Sequence, residues 1–515
     1  MVYAVTGVVL YWGLDNSEFT QWDDFSHWGF ATKELLVRHH LADLNNVQQI
    51  KDYPPGLNLF HFFVVFPSAG TEGEILTANS WVLFAILPCF LYRATPWSIF
   101  AICGAIGALF LAPYALGTGL YTVMSDQSLS IFFAGAIVAY WIIYRARPGS
   151  VAIVALPLAA LPLIKASGAL FAFIAAIAIS IDIASRQRNL RSAAIICALI
   201  AAPVFARSSW QGYVSSHAIP PTFPTQTTSI WAAFSGTSRD RSQAIAYNFI
   251  DALTGLSVGI SPGWSTALWC VVFASFTAVI LVFCGSENRR QALIFLTVLW
   301  VGLGVYLTGL LTMYVASFKF GDEDLRLASF GRYVSTYIAG LLLVVLFCVR
   351  QISSSDNSLR DGWALSAIMV SFLFVFEFPE VRIIGAKRQD PFLSEHRELL
   401  NRVASIIPSN ARVRIIVQNS NGAEVVRTRY ALIPRRYTGA WSIGKPYREN
   451  DYYTKNITAE QFARELSDVD YLLLIRADQN FWSNFGSLFE GIEGVDSHRL
   501  FKISKSGPLK LVPAL

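Results

Sequence analysis

The chain has 515 residues, of which 54% are hydrophobic and only 15% charged. Soluble globular chains carry roughly 25% charged residues. Here the apolar residues run in long unbroken stretches, which excludes a single soluble core. The net charge of +5 belongs to the tail: from Arg382 onward there are 20 Lys and Arg against 14 Asp and Glu. That mild excess suits a solvated face or a surface near anionic lipid, and no nucleic-acid partner is expected.

The predicted elements place a polytopic α-helical membrane protein before any motif is considered. A helix of about 20 apolar residues spans the hydrocarbon layer, and residues 95–117, 125–144 and 291–316 qualify. Cytoplasmic loops carry excess Lys and Arg. The candidate inside markers are Arg93, Arg145 with Arg147, Arg186 with Arg188 and Arg191, Arg289 with Arg290, and Arg350. One arrangement places all five groups inside. Residues 1–14 cross outward, 15–74 stay outside, and 75–93 return. Residues 95–117 go out, 125–144 return, 150–164 go out and 168–184 return. Residues 192–206 go out to a long outer loop at 207–262, and 263–284 return. Residues 291–316 go out, 334–349 return and 363–378 go out, leaving the tail outside. The total is about eleven spans, with a cytoplasmic N-terminus. Residues 54–67 are too short to cross and fit an interfacial or re-entrant helix. Met1–Leu14 has neither the basic start nor the cleavage site of a signal peptide.

Residues 1–380 therefore form a membrane domain that includes outer loop 15–74, and residues 381–515 change character. Arg412–Gln418 alternates like a strand, Tyr471–Ile475 is a short apolar run, and Phe501–Ser504 and Leu509–Val512 extend the pattern. Residues 391–404 and 459–467 have helical spacing, with Thr458 and Gln461 placed for a capping box. A small α/β domain outside the membrane is predicted. The six cysteines, Cys89, Cys103, Cys197, Cys270, Cys284 and Cys348, sit in or beside apolar runs and read as buried small hydrophobes. The cytoplasmic loops are short, and no phosphate-binding loop of the GxxxxGK[ST] or GxGxxG kind is present.

The polar residues that could carry chemistry fall in the outer segments. Trp22-Asp23-Asp24-Phe25-Ser26-His27-Trp28 sets two carboxylates and a histidine between interface-favouring tryptophans. Carboxylates at that depth are costly and usually mark a site. Either Asp could serve as a general base or bind a metal. A cap on the following helix is the plainer alternative. Lys51-Asp52-Tyr53-Pro54-Pro55-Gly56 is a rigid turn or a substrate-lining segment. Asp126, next to Ser125, is either an N-cap or a second acid or metal ligand. Lys165, between two apolar helices, either snorkels or holds a lipid phosphate. Arg326 and Arg332, just before a span, suit bidentate phosphate recognition or a surface network with Asp322, Glu323 and Asp324.

These features together resemble the GT-C glycosyltransferase superfamily, which includes protein O-mannosyltransferases, oligosaccharyltransferases and lipid A aminoarabinose transferases. Trp22–Trp28 is similar to the acidic motif of that family's first outer loop, with Asp-Asp where Asp-Glu is commoner. Tyr53-Pro54-Pro55 resembles the segment that ends the loop in bacterial members. Asp126 falls where many members keep an acid, and Arg326–Tyr333 resembles a donor-phosphate element. The resemblance covers residues 1–380. It implies a hexosyl- or pentosyl-type glycosyltransferase that moves a sugar from a polyprenyl-phosphate donor to a glycan, lipid or protein acceptor at the outer face of a bacterial inner membrane. Asp23, Asp24 and Asp126 are the catalytic candidates on this view. Lys165, Arg326 and Arg332 are the donor-phosphate candidates, and His27, Tyr53 and Tyr333 line the substrate. A divalent Mg or Mn ion on Asp24 and Asp126 is implied for some members. A flippase, or a polymerase or ligase using Arg239 and Arg241, remains the alternative. The transferase reading expects the acids and arginines to converge at the external leaflet.

Overall fold

The computed structural model describes residues 2–68, 70–86, 88–89, 120–144, 150–186, 189–223, 239–258, 264–283, 286–318, 322–353, 388–489, 499–504 and 510–513. The predicted spans at 95–117 and 363–378, with Arg93, Arg145, Arg147 and Arg188, lie outside those residues. The chain divides into two compact units. One comprises Met1–Asp15, Asp52–Val65 and Gly73–Ala386; the other comprises Asn16–Lys51, Phe66–Glu72 and Lys387–Leu515. The sequence expectation grouped loop 15–74 with the membrane part, whereas most of that loop clusters with the C-terminal residues.

The first unit is helical, and the chain is a multi-pass membrane protein. Among the described residues, four helices are long and apolar enough to cross: Ser125–Tyr144, Gly168–Arg186, Leu190–Ser216 and Ala292–Ala316. Shorter apolar helices are Ala4–Leu14, Gly56–Val65, Val151–Ile164, Thr266–Ala278 and Phe330–Val345. At 1.5 Å per residue, the 10 residues of Gly56–Val65 reach about 15 Å, half the hydrocarbon thickness. Two departures from the expectation concern the long outer loop. The Leu190–Ser216 helix runs ten residues past position 206, and a further helix spans Arg239–Gly255.

Close helix contact in this unit is set by small residues. A β-carbon on Gly340 would stand 2.7 Å from Phe133, so the Phe330–Ser353 helix can lie tight against Ser125–Ala139. Ser130 hydroxyl donates across that crossing to the carbonyl of Thr336 at 2.6 Å. The core beside it is aromatic, with Phe133, Phe171, Tyr306 and Tyr337 in mutual ring contact at 5.0–5.5 Å. Of the cysteines, Cys348 is buried as expected, Cys89 and Cys270 are half-buried and Cys197 is exposed, while Cys103 and Cys284 lie outside the described residues.

The second unit carries a five-stranded sheet in the order β2-β1-β5-β6-β7. The strands are β1 Arg412–Val417, β2 Arg436–Tyr437, β5 Tyr471–Arg476, β6 Arg499–Ser504 and β7 Lys510–Pro513. A separate ladder pairs β3 Ser442–Ile443 with β4 Thr454–Lys455. β1 runs parallel to β2 and β5, and β6 and β7 continue antiparallel. Side chains alternate across the sheet. Val413, Ile415, Val417 and Leu473 pack with Leu400, Val403 and Val425, while Ile416, Leu472 and Leu474 pack with Phe462, Phe481 and Phe485. Helices therefore cover both faces. The strand read at Arg412–Gln418 forms as β1, in which only Arg412 is exposed and Arg414 is buried. Two-sided burial is what a parallel strand requires. The predicted helices form at Pro391–Ile406 and Ala459–Leu466, and Thr458 and Gln461 make the expected capping box.

Candidate functional site

Three segments far apart in sequence bring their charges together in the membrane unit. Asp126 is the second residue of the Ser125–Ala139 helix, where a carboxylate faces the positive end of the helix dipole. Lys165 ends the Val151–Ile164 helix in extended backbone. The chain turns there to start the next helix at Gly168, where a β-carbon would collide with the carbonyl of Leu161 at 1.9 Å. Arg332 is the third residue of the Phe330–Ser353 helix, after left-handed backbone at Leu327 and Ser329.

Lys165 Nζ lies 2.6 Å from one Asp126 oxygen, and Arg332 Nε lies 3.6 Å from the other. The three side chains are 13%, 22% and 6% exposed for Lys165, Arg332 and Asp126. Both cations also lie over the ring of Tyr333, at 4.9 and 5.3 Å. Tyr306 hydroxyl donates to the Tyr333 carbonyl at 2.8 Å, which ties the cluster to the aromatic core. Two cations on one carboxylate, held largely out of water, make a ready seat for an anion.

Arg326 and Tyr53 are placed elsewhere. Arg326 is exposed and, among the described residues, makes no ion pair with Asp126. Its neighbour Asp324 receives a two-pronged contact from Arg241, at 2.7 and 2.8 Å. Arg241 thus serves as a structural partner of the 322–329 segment. Tyr53 packs on Phe223 with rings 6.4 Å apart. Asp52 accepts from Thr222 Oγ1 and N, and its carbonyl accepts from Trp210 Nε1. Asp52 and Tyr53 therefore tie their segment to the one that holds Trp210, Thr222 and Phe223.

In the second unit, Asp24–Trp28 forms a widened π-helical turn leading into the Gly29–Arg38 helix. Such turns are frequent at functional sites. Asp24 is wholly buried, whereas the Asp23 side chain is 18% exposed. His27 Nε2 stands 3.8 Å from Asp23, too long for a hydrogen bond but close enough for charge to be felt. His27 Nδ1 is 2.6 Å from the Ser26 hydroxyl. Asp23 is thus the carboxylate of the pair that keeps access to solvent.

Lys33 and Glu72 in this unit carry charges of a kind usual at the surface, yet both are half-buried. Lys33 donates to the Tyr430 carbonyl at 3.0 Å and lies 4.1 Å over its ring. Glu72 accepts from the Phe19 amide at 2.6 Å. Burial holds Lys33 down to about 8, against the pull of Glu72. Burial likewise pushes Glu72 up to about 7, opposed by the Phe19 hydrogen bond and by Lys33. The raised acid keeps its proton in the folded state between pH 4.5 and 7, so its stabilisation fades as pH rises through that window. The lowered base costs stability below pH 8 and ceases to do so as pH rises to 10.5. The contribution of these two groups to stability is expected to be lowest between about pH 7 and 8. Glu72→Gln is expected to remove about 3 kcal/mol of pH dependence on the acid side. Thermal unfolding midpoints of the full chain at pH 5 and 7.5 check this; parallel profiles for variant and wild type would refute it.

A divalent ion fits poorly at Asp126. Its carboxylate is already met by Lys165 and Arg332, so the protein itself supplies the positive charge there. Among the described residues, no three His, Cys, Asp or Glu side chains gather as a metal site.

The chain is similar to ArnT. The crystal structure of ArnT from Cupriavidus metallidurans in the apo state matches at 9% identity and a TM-score of 0.49, covering 96% of this chain and 95% of that one. The structure of the same protein bound to undecaprenyl phosphate matches at 9% identity and a TM-score of 0.48, covering 92% and 91%. No family model and no curated relative matches the sequence.

Proposed function

We propose that the protein is a glycosyltransferase that moves a hexosyl- or pentosyl-type sugar from a polyprenyl-phosphate-linked donor to an acceptor hydroxyl at the outer face of the membrane. The observation that carries the reading is the Lys165–Asp126–Arg332 cluster. A lipid-phosphate donor brings its own leaving group and needs no nucleotide pocket. The protein must then supply a base and positive charge for the departing phosphate. Lys165 and Arg332 supply the charge, and Asp126 holds both cations in place between turnovers. Asp23 is assigned as the base. The acceptor oxygen bonds to the anomeric carbon, the bond from that carbon to the phosphate oxygen breaks, and the acceptor proton passes to Asp23. Free polyprenyl phosphate leaves with the electron pair. The reading takes the eleven-span arrangement expected from the sequence, in which Trp22–Trp28, Asp126, Lys165 and Arg332 would all face outside.

The test is incubation of the protein, reconstituted in vesicles, with a panel of radiolabelled polyprenyl-phosphate sugars. Transfer of label with release of free polyprenyl phosphate is expected. Movement of intact labelled lipid across the bilayer without release would establish a flippase instead.

A further inference from the structure

The second unit presents aromatic rings at the carboxyl end of β1 that the chemistry above does not use. In an open, mostly parallel sheet, ligands bind outside the carboxyl ends of the strands where the connections diverge to either side. β1 is such a place, since it has parallel neighbours on both sides: β2 follows it in the chain and β5 comes later. Just past its end lies Gly422, with φ +100°. A β-carbon there would stand 3.0 Å from the Trp22 ring and 3.1 Å from the Trp441 ring. Only glycine lets these two indoles close over the turn.

The parallel β3–β4 ladder pairs Ser442 with Thr454, so the residues just before each strand, Trp441 and Tyr453, are neighbours. Their rings lie 6.4 Å apart and tilted by 35°. Trp441 is fixed at both ends: its carbonyl accepts from Val417 N at 2.9 Å, and its indole donates to the Ser420 carbonyl at 3.0 Å. Asp451 accepts from the amides of Tyr453, Thr454 and Tyr447, which pins the turn that carries Tyr453. Trp22 is 40% exposed and Tyr453 42%. Large aromatic rings held rigid, yet open to solvent, mark a ligand surface.

We propose that Trp22, Trp441 and Tyr453 form a stacking platform for pyranose rings of a glycan acceptor. This rests on the transferase reading. The polar setting favours a sugar over a lipid surface or an apolar protein groove. Asp23 follows Trp22 directly, and Glu424 with Arg476, 3.1 Å apart, lies at the same end of the sheet. A sugar offers apolar C–H faces to the rings and hydroxyls to such groups. Trp22 joins the platform to the segment that carries the base, so a stacked glycan is delivered towards Asp23 by the chain itself.

The test is saturation-transfer NMR on the full-length protein in detergent, with a panel of methyl hexopyranosides and the matching trisaccharides as probes. It needs no turnover, so its result stands apart from that of the transfer assay. Trisaccharide binding is expected to weaken about tenfold in Trp22→Leu and in Tyr453→Leu, and to persist in Trp22→Phe and Tyr453→Phe. Equal binding by the Leu variants and the wild type overturns the platform. So does an absence of sugar binding together with quenching of tryptophan fluorescence by brominated phosphatidylcholine, in vesicles holding the reconstituted protein, that falls in Trp22→Leu, which would make this face a membrane surface.

Discussion

Replacing Asp23 with Asn is expected to cut sugar transfer by about 10²- to 10⁴-fold while donor binding stays intact. The asymmetry within the acidic pair drives this expectation. A base must reach a substrate proton, and the Asp23 side chain keeps solvent access while Asp24 has none. Asp24→Asn should act differently. Asp24 is one of the carboxylates, with Glu72 and Glu18, that help burial hold the Tyr430 phenol far above its usual range. Its loss should therefore appear first as an altered unfolding midpoint. Measuring transfer rate and thermal midpoint on both variants separates the roles. If Asp24→Asn abolishes transfer in a protein of wild-type stability while Asp23→Asn stays active, the assignment of the base is wrong.

How far these roles were legible in the sequence depended on the kind of signal. Hydrophobic run length and flanking turns located Ser125–Ala139, Val151–Ile164 and Gly168–Arg186 within a few residues, because lipid demands continuous apolar helix. The capping box at Thr458 was legible because its two side chains are three residues apart and act locally. The Arg239–Gly255 helix was missed because the segment is polar overall, although its buried residues Ile245, Phe249 and Ala252 recur at helical spacing. The burial of Arg414 was not legible either: a polar residue in a strand suggests an exposed face, but the sheet buries it against Phe462, with Glu465 at 3.1 Å. Lys33 and Glu72 were silent because their burial comes from Tyr430 and Phe19, which nothing local connects to them. The convergence of Asp126, Lys165 and Arg332 was suspected residue by residue. Their pairing is a property of helix packing, set by Gly168, Gly340 and the Ser130–Thr336 contact rather than by spacing.

That pairing sets the second large effect. Arg332→Gln or Lys165→Met is expected to weaken binding of a polyprenyl-phosphate donor by about 10²- to 10³-fold, the scale for losing one partner of a desolvated charge contact. Asp126→Asn should behave otherwise, because it removes the only anion of the three and leaves two enclosed cations facing each other. Breaking a buried pair costs about 3–5 kcal/mol, so the thermal midpoint should fall. Donor phosphate should restore part of it by taking the vacated negative position. The double variant Asp126→Asn with Arg332→Gln should recover stability and still fail to bind donor, since one cation no longer needs compensation but the phosphate has lost a ligand. Midpoints with and without polyprenyl phosphate on all four variants decide the matter. A cluster that serves only the fold would lose stability in the same pattern, yet its midpoint would not respond to the phosphate lipid in any of them.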